Sequence, residues 1–506
     1  MWAASKSFKL TYGLRLDLPH IANNPPANKS FDSAFAAFDV KTEQMSISKL
    51  MFSPRVGFNW NIEDEGVQVR GGLGMFTGRI PFVWISNQFS NTGVMLSTTA
   101  QSDNVNTPAN EVNNGNGFNP DPNAQSSIGF NPNAGRTFET NLIDENFKLP
   151  QVLRINLGVD AKIPGDINAT FDAIYSKTIN NVLYQDVNLN PPVGVVDPTY
   201  NQGADTRIAY AAATNARRKN PNITNAFLIT NTSKGYTINL GATFNKTWKH
   251  VFAQASYNYN LASDVNSGAS STASSNWSFV QVVGDPNNPF LATSNYQLKH
   301  RITGVLSFDY EYGKNFRTVL SFFYQGNSGQ VFTYLVNGDL NSDGSTGNDL
   351  LYVPKNTLDI KFVDFLNSNG SVRYTAAQQS VAFDQFIGSD AYLNKTRGGY
   401  TERNGRSTPW EHVVDARLAQ DFFIKAGEKR HALQLSFDIF NFTNLLNKEW
   451  GRQYSVGNQA STILSTVNRN PAATGRGYNF SIGQVPWSMN FGSRWQGQVG
   501  LRYTFN

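Results

Sequence analysis

No cysteine occurs anywhere in the 506 residues. That excludes a disulfide framework, a thiol nucleophile and any thiolate metal site. Charge is scarce too: Asp, Glu, Lys and Arg make up 16% of the chain, below the usual quarter. The net charge of +5 is mild for this length, and the densest basic stretch is only "NARRKN" at 215–220. A nucleic-acid partner is therefore not expected. No apolar run approaches the ~18 residues that a membrane-crossing helix needs. The first fifteen residues lack a basic region followed by an apolar run, so no signal peptide is read there. The histidines His20, His250, His300, His412 and His431 are scattered, with no HExxH or paired motif. G-x-S-x-G does not appear, and "GGLG" at 71–74 continues as a strand and opens no helix. A non-enzyme is expected.

What the chain has is aromatic residues at 13%, among them 36 Phe and 20 Tyr, together with 41 Gly. Disorder requires few aromatics and high charge; this composition suits an all-β protein with polar loops. Alternation carries the reading. Phe8, Leu10, Tyr12, Leu14, Leu16 and Leu18 are interleaved with Lys9, Thr11, Gly13, Arg15 and Asp17, a strand with one greasy and one wet face. The same period recurs at Val56–Ile62, Val67–Met75, Leu153–Ala161, Ile167–Tyr175, Tyr236–Phe244, Ala253–Leu261, Ile302–Tyr312, Phe316–Tyr324, Val414–Ile424, Leu433–Ile439 and Val499–Phe505. About twelve strands are expected, each with an apolar stripe roughly ten residues long.

The connections alternate. Short turns are read at 63–66, 164–166, 246–250, 312–315 and 426–430; long polar connections lie at 97–150, 190–225, 262–297 and 337–409. Short and long in alternation is the pattern of an up-and-down sheet whose two ends face different compartments. Ten residues at ~3.3 Å, tilted ~45°, rise about 23 Å, close to the roughly 25 Å apolar band of an outer-membrane barrel. Arg15, Arg55, Arg70, Arg154, Arg317, Arg417 and Arg502 all fall on the opposite face. A cation facing lipid would cost ~2–4 kcal/mol, so that face reads as a wet lumen. A soluble sandwich or propeller also alternates, but neither requires every second loop to be long, and no repeat of propeller length is found. The expectation is an up-and-down antiparallel transmembrane β-barrel in the outer membrane. Its partners would be lipid and an extracellular ligand, with long loops extracellular and the C-terminus periplasmic.

Several stretches resemble one family: "FKLTYGLRLDLP", "FSPRVGFNWNI", "VRGGLGMFTGRIPFVWISNQFSNTGV", "YLNKTRGGYTERNGRSTPWEHVVDARLAQDF" and "LQLSFDIFNFTNLLN". They look like the C-terminal barrel of TonB-dependent outer-membrane receptors, of the Oar-type subgroup found in Bacteroidetes and relatives. The resemblance implies a barrel of about 22 strands, an N-terminal plug and a TonB-contacting segment. About twelve strands are present, without the plug or the TonB segment. Residues 1–506 are thus expected to be a partial receptor barrel, with Met1 an internal methionine and TonB reached through the missing part. Geometry agrees: twelve strands closed alone give a diameter of roughly 24 Å, too narrow for a plug, against roughly 44 Å for twenty-two. The competing reading is a self-contained small barrel, a porin or adhesin with binding loops. Gly57, Gly72, Gly74 and Gly158 on the wet face are read either as points of close approach or as points of sheet curvature.

Three segments are candidates for chemistry. In "DLNSDGSTGND" (339–349), Asp339, Asn341, Asp343 and Gly344 fit positions one, three, five and six of a calcium loop. The twelfth position is Leu350, and Asp349 lies one residue short. Calcium is the one cofactor such a loop would take; an Asx-rich turn is the alternative. In "IPFVWISNQF" (80–89), Phe82, Trp84 and Phe89 would either line a ligand mouth or fold back as loop core. Residues 375–399 read as a helix capped by Thr375 with Gln378 three residues on, serving as a lid or packing under its own loop.

Overall fold

A computed structural model describes residues 2–3, 5–62, 65–94, 138–427, 429–468 and 476–505. Twelve long strands form one continuous antiparallel path in chain order. They are β1 (Phe8–Asp17), β2 (Met51–Ile62), β3 (Val67–Thr77), β4 (Gln151–Ile163), β5 (Ile167–Asp186), β6 (Tyr236–Thr247), β7 (Val251–Asp264), β8 (His300–Tyr312), β9 (Phe316–Asn327), β10 (Glu411–Ala426), β11 (Lys429–Phe440) and β12 (Gln496–Phe505). Every strand pairs with its neighbour in sequence, and the connections alternate between short turns and long loops. The turn between β8 and β9 has both Gly313 (φ 59°) and Lys314 (φ 63°) in the left-handed region, the geometry that matches the twist of paired strands. The ladder is open. Its path runs from β1, with Trp2–Ala3 paired alongside, to β12; among the described residues no backbone pairing joins β1 to β12.

Register fixes the faces. Leu306 stands opposite Phe322, and Leu320 opposite Leu418, while Asp309 stands opposite Val319 and Arg417 opposite Asp438. The apolar face points outward and carries bare side chains: Leu14 is 62% exposed, and Val499 and Leu501 about as much or more. The polar face is laced by ion pairs. Arg70 on β3 bridges Asp160 on β4 and Asp172 on β5; Arg317 on β9 joins Asp309 on β8 and Asp421 on β10. Gly158 resolves the question about the wet-face glycines at one position. A Cβ there would stand 2.8 Å from the Arg70 Cζ, so the missing side chain clears the path for Arg70 itself.

Aromatic rings collect at both ends of the apolar face. At the long-loop end, Tyr257, Tyr259, His300, Trp410, His412 and Tyr324 touch in series. At the short-turn end His250, Tyr310, Tyr312, Phe316 and Phe422 do the same. His300 and Tyr310 lie ten residues apart on one face of β8. At ~3.3 Å per residue and ~45° tilt they bracket an apolar band about 23 Å tall, the dimension of an outer-membrane girdle pair.

The buried core is not in this wall. It lies in the long loops. A four-stranded loop sheet, ordered Arg406–Ser407, Val331–Asn337, Ala460–Asn468, Arg476–Phe480, buries Phe332, Tyr334, Tyr478 and Phe480. The predicted helix packs on it, in two pieces: α2 (Ala376–Ser389) and α3 (Ala391–Lys395), after α1 (Phe82–Ser90) earlier in the chain. Both halves of the Thr375–Gln378 capping box form. The break falls at Asp390, whose carboxylate accepts the backbone N–H groups of Tyr392 and Leu393 and so starts a new helix. A second cluster gathers Trp84, Phe147, Tyr184, Phe227 and Trp277. It rests on the outer part of β5, where Ile223–Thr232 pairs antiparallel with Asn181–Asp186 and parallel with Phe138–Ile143.

Candidate functional site

The loops form a folded head on one end of the wall, and the head holds the candidate residues. In 339–349 most of the acidic oxygens are answered from within the protein, the Asp339 Oδ1 being the exception. The Asn341 Oδ1 accepts the N–H of Asp343 at 3.1 Å, and the Asp343 Oδ1 accepts that of Ser345 at 2.7 Å. Asn348 Nδ2 donates to the Asp343 Oδ2 at 2.7 Å. Cations are supplied by two arginines. Arg217 donates to the Asp339 Oδ2 at 3.3 Å and to the Ser342 carbonyl at 3.0 Å. Arg207, fully buried, donates to Asp349 at 3.1 Å, to Asp205 at 2.9 Å and to the Leu350 carbonyl at 2.7 Å. Among the described residues no three His, Asp or Glu side chains are gathered as a metal ion requires. The four candidates come together in one turn, in which Arg217 pairs with Asp339 and Arg207 with Asp349.

The electrostatics of that turn are tense. Burial, then the charges of Asp349 and Asp339, push the Asp343 carboxyl up to about 7. Burial also pushes Asp349 up, against the pull of Arg207. For Arg207, burial alone would pull the guanidinium down, and Asp205 with Asp349 more than offset it. Tyr400 completes the cluster: its ring lies beneath the Arg207 guanidinium and its hydroxyl donates to Asp205 at 2.8 Å. Residues 205–207 from one long loop, and 349–350 and 400 from two places in another, are thus locked together. Their separation in sequence leaves no local signal by which they could have been found.

The three loop aromatics divide. Trp84 is buried on α1; its indole N–H donates to the Ser270 carbonyl at 2.7 Å and its ring meets Tyr184 edge-on. Phe89 is half-buried against the same cluster. Phe82 is 74% exposed and lines a cleft of about 380 Å³ beside β1, with Arg15, His20 and Arg79 on its wall. A larger cleft, about 690 Å³, opens between the 265–299 loop, the strand Val331–Asn337 and residues 457–462.

Four of the five histidines that carried no motif, all but His20, find partners in the aromatic rims. Nδ1 of His300 shares a 2.8 Å hydrogen bond with the Tyr257 hydroxyl, Nδ1 of His412 one of 2.8 Å with Tyr324, and Nδ1 of His431 one of 2.6 Å with Tyr503. Paired Tyr and His rings have an apolar body and a polar tip, as a membrane–water boundary favours.

An inside-out wall, aromatic rims about 23 Å apart and a loop-built head define an outer-membrane β-barrel protein. Residues 1–476 match the family model for the outer membrane beta barrel domain, and the chain belongs to that family. Similar folds are found among outer-membrane transporters and receptors. The outer membrane transporter YddB from Escherichia coli aligns at 10% identity and TM-score 0.42, covering 90% of this chain and 41% of that one. A mutant of the ferric enterobactin receptor PfeA from Pseudomonas aeruginosa aligns at 8% identity and TM-score 0.37, covering 87% and 38%. The FrpB iron transporter from Neisseria meningitidis gives 8% identity, TM-score 0.37, and 87% and 39%. The chain spans about two fifths of the length of these proteins. No curated protein matches it.

Proposed function

We propose that the chain is the C-terminal barrel segment of a TonB-dependent, Oar-like receptor that binds an extracellular ligand through its loop head. The observation that carries this reading is the open ladder. Among the described residues, twelve strands run from β1 to β12 without pairing the two ends. An unpaired strand edge in hydrocarbon costs several kcal/mol for each backbone group left bare, so further strands are the natural partners of both edges. A polar inner face lined by Arg–Asp pairs supports a wide, wet lumen able to hold a plug. On this reading the long loops are extracellular, the C-terminus is periplasmic, and TonB acts through the plug.

The test has two arms. The genomic sequence immediately upstream is expected to continue in frame into more alternating strands and a plug. The full gene product is expected to concentrate ligand only in cells that possess TonB. A stop codon and promoter directly upstream, with cysteines placed on β1 and β12 cross-linking in the membrane, would instead establish a self-contained small barrel of the porin or adhesin kind.

A further inference from the structure

The larger cleft in the head is built from three loops that meet far from one another in sequence. Its floor is the parallel pair of Val331–Asn337 with Ala460–Asn468, in which Thr333 stands opposite Ala460 and Leu335 opposite Thr462. One wall is the 266–281 segment. Strand pairing and the buried loop core hold both in place, so the cleft is formed before anything enters it. Its volume of about 690 Å³ falls in the roughly 300–1,000 Å³ range of small-ligand sites.

The chemistry of the lining is narrow. Among the described residues Arg403 is the one ionisable side chain on it; that guanidinium is almost wholly buried and held by Asp264 at 2.8 Å. Among the described residues, no unpaired cation or carboxylate faces the cleft. What faces it are amides. Gln281, Asn337 and Asn458 line it with no side-chain hydrogen bond to another described residue, and the Asn295 Oδ1 is held by Asn404 while its Nδ2 bonds to no described residue. Gln459 donates its Nε2 to two carbonyls and keeps its Oε1. An amide offers donor and acceptor side by side, as does each hydroxyl-bearing edge of a sugar. Beside them Phe279 presents its ring, 62% exposed, while the aliphatic lining residues Val280 and Leu335 are buried. One bare ring among amides matches the C–H face and hydroxyl rim of a pyranose. An anionic chelate would find no free cation here, and a peptide would find no hollow for an apolar side chain.

We infer that this cleft binds a neutral oligosaccharide, with Phe279 stacking on one ring and Gln281, Asn337 and Asn458 bonding its hydroxyls. The inference rests on the receptor reading above and names its ligand class. The test is saturation-transfer NMR on the protein purified from outer membranes in detergent. The probes are maltotriose, cellotriose and chitotriose, with ferric citrate (followed by calorimetry) and triglycine as the anionic and peptide controls. At least one trisaccharide is expected to bind, and Phe279→Ala and Asn337→Ala, both at exposed side chains, are each expected to weaken it about tenfold or more without moving the melting temperature. Binding that ignores both substitutions, or no trisaccharide binding at millimolar concentration, overturns the inference. Ferric citrate or triglycine binding that the same substitutions abolish also overturns it, while leaving the receptor reading intact.

Discussion

Arg70 reaches over Gly158 to lay its guanidinium 2.7 Å from Asp172, so that one side chain on β3 ties together β4 and β5 on the wet face of the wall. The relationship explains why a glycine sits in mid-strand. It also predicts coupling. All three side chains stand in reach of water, so the bridge is worth about 0–1 kcal/mol. Gly158→Ala and Asp172→Asn are each expected to cost that much in urea unfolding from detergent or lipid. The double variant is expected to cost little more than either, since both remove the same contact. Full additivity would show that the glycine serves curvature and not Arg70.

The Arg207–Asp349 pair lies at the other extreme of burial, with both side chains almost completely enclosed. Arg207→Met leaves Asp205 and Asp349 buried without a cation, which typically costs ~3–5 kcal/mol. The expected result is selective opening of the head: limited proteolysis cuts within 187–235 and 338–410 while the wall survives. A protease pattern identical to that of the parent chain would remove Arg207 from its keystone role.

Particular residues show how far the wall and the head could be read in advance. The run Phe8–Leu18 emerges as Phe8–Asp17, and the other alternating runs emerge as wall strands too, because a strand between lipid and water must repeat every two residues. In the head that rule lapses. Val331–Asn337 is buried at every position but the last, so "VFTYLVN" has no alternating period to read. Phe82–Ser90 is a helix, a form that its spaced aromatics alone do not signal. Of the site, Asp339, Asn341, Asp343 and Asp349 were legible as one turn. Their partners Arg207 and Arg217 were not, since long-range pairing decides them.

The turn should respond to pH in a definite direction. In an unfolded chain Asp343 titrates near its ordinary 3.8, and in place it titrates at about 7. Between those values the folded turn keeps a proton that the unfolded chain has released, so stability falls as pH rises through that window and levels off above it. Hydrogen exchange at the Ser345 amide, which donates to Asp343, is expected to show less protection at pH 8 than at pH 5 after correction for intrinsic rates. Asp343→Asn is expected to flatten the dependence. Protection that grows with pH would contradict the account of burial and mutual repulsion.

Arg217 occupies the Asp339 Oδ2 and the Ser342 carbonyl, oxygens for which a calcium ion in 339–349 would compete. Calorimetry at millimolar calcium is expected to find stronger binding in Arg217→Ala than in the parent chain. Equal binding would show that the arginine is not the turn's counter-ion.

The central claim is that the face bearing Leu306 meets lipid while the face bearing Ser307 meets water. The absence of cysteine makes the test direct: spin labels on Leu306→Cys and Ser307→Cys, one at a time, in reconstituted membranes. The label at 306 is predicted to collide with dissolved oxygen and to be shielded from a water-soluble nickel chelate, and the label at 307 to do the reverse. Equal access of the nickel chelate to both positions would contradict the barrel wall on which the rest of the account stands.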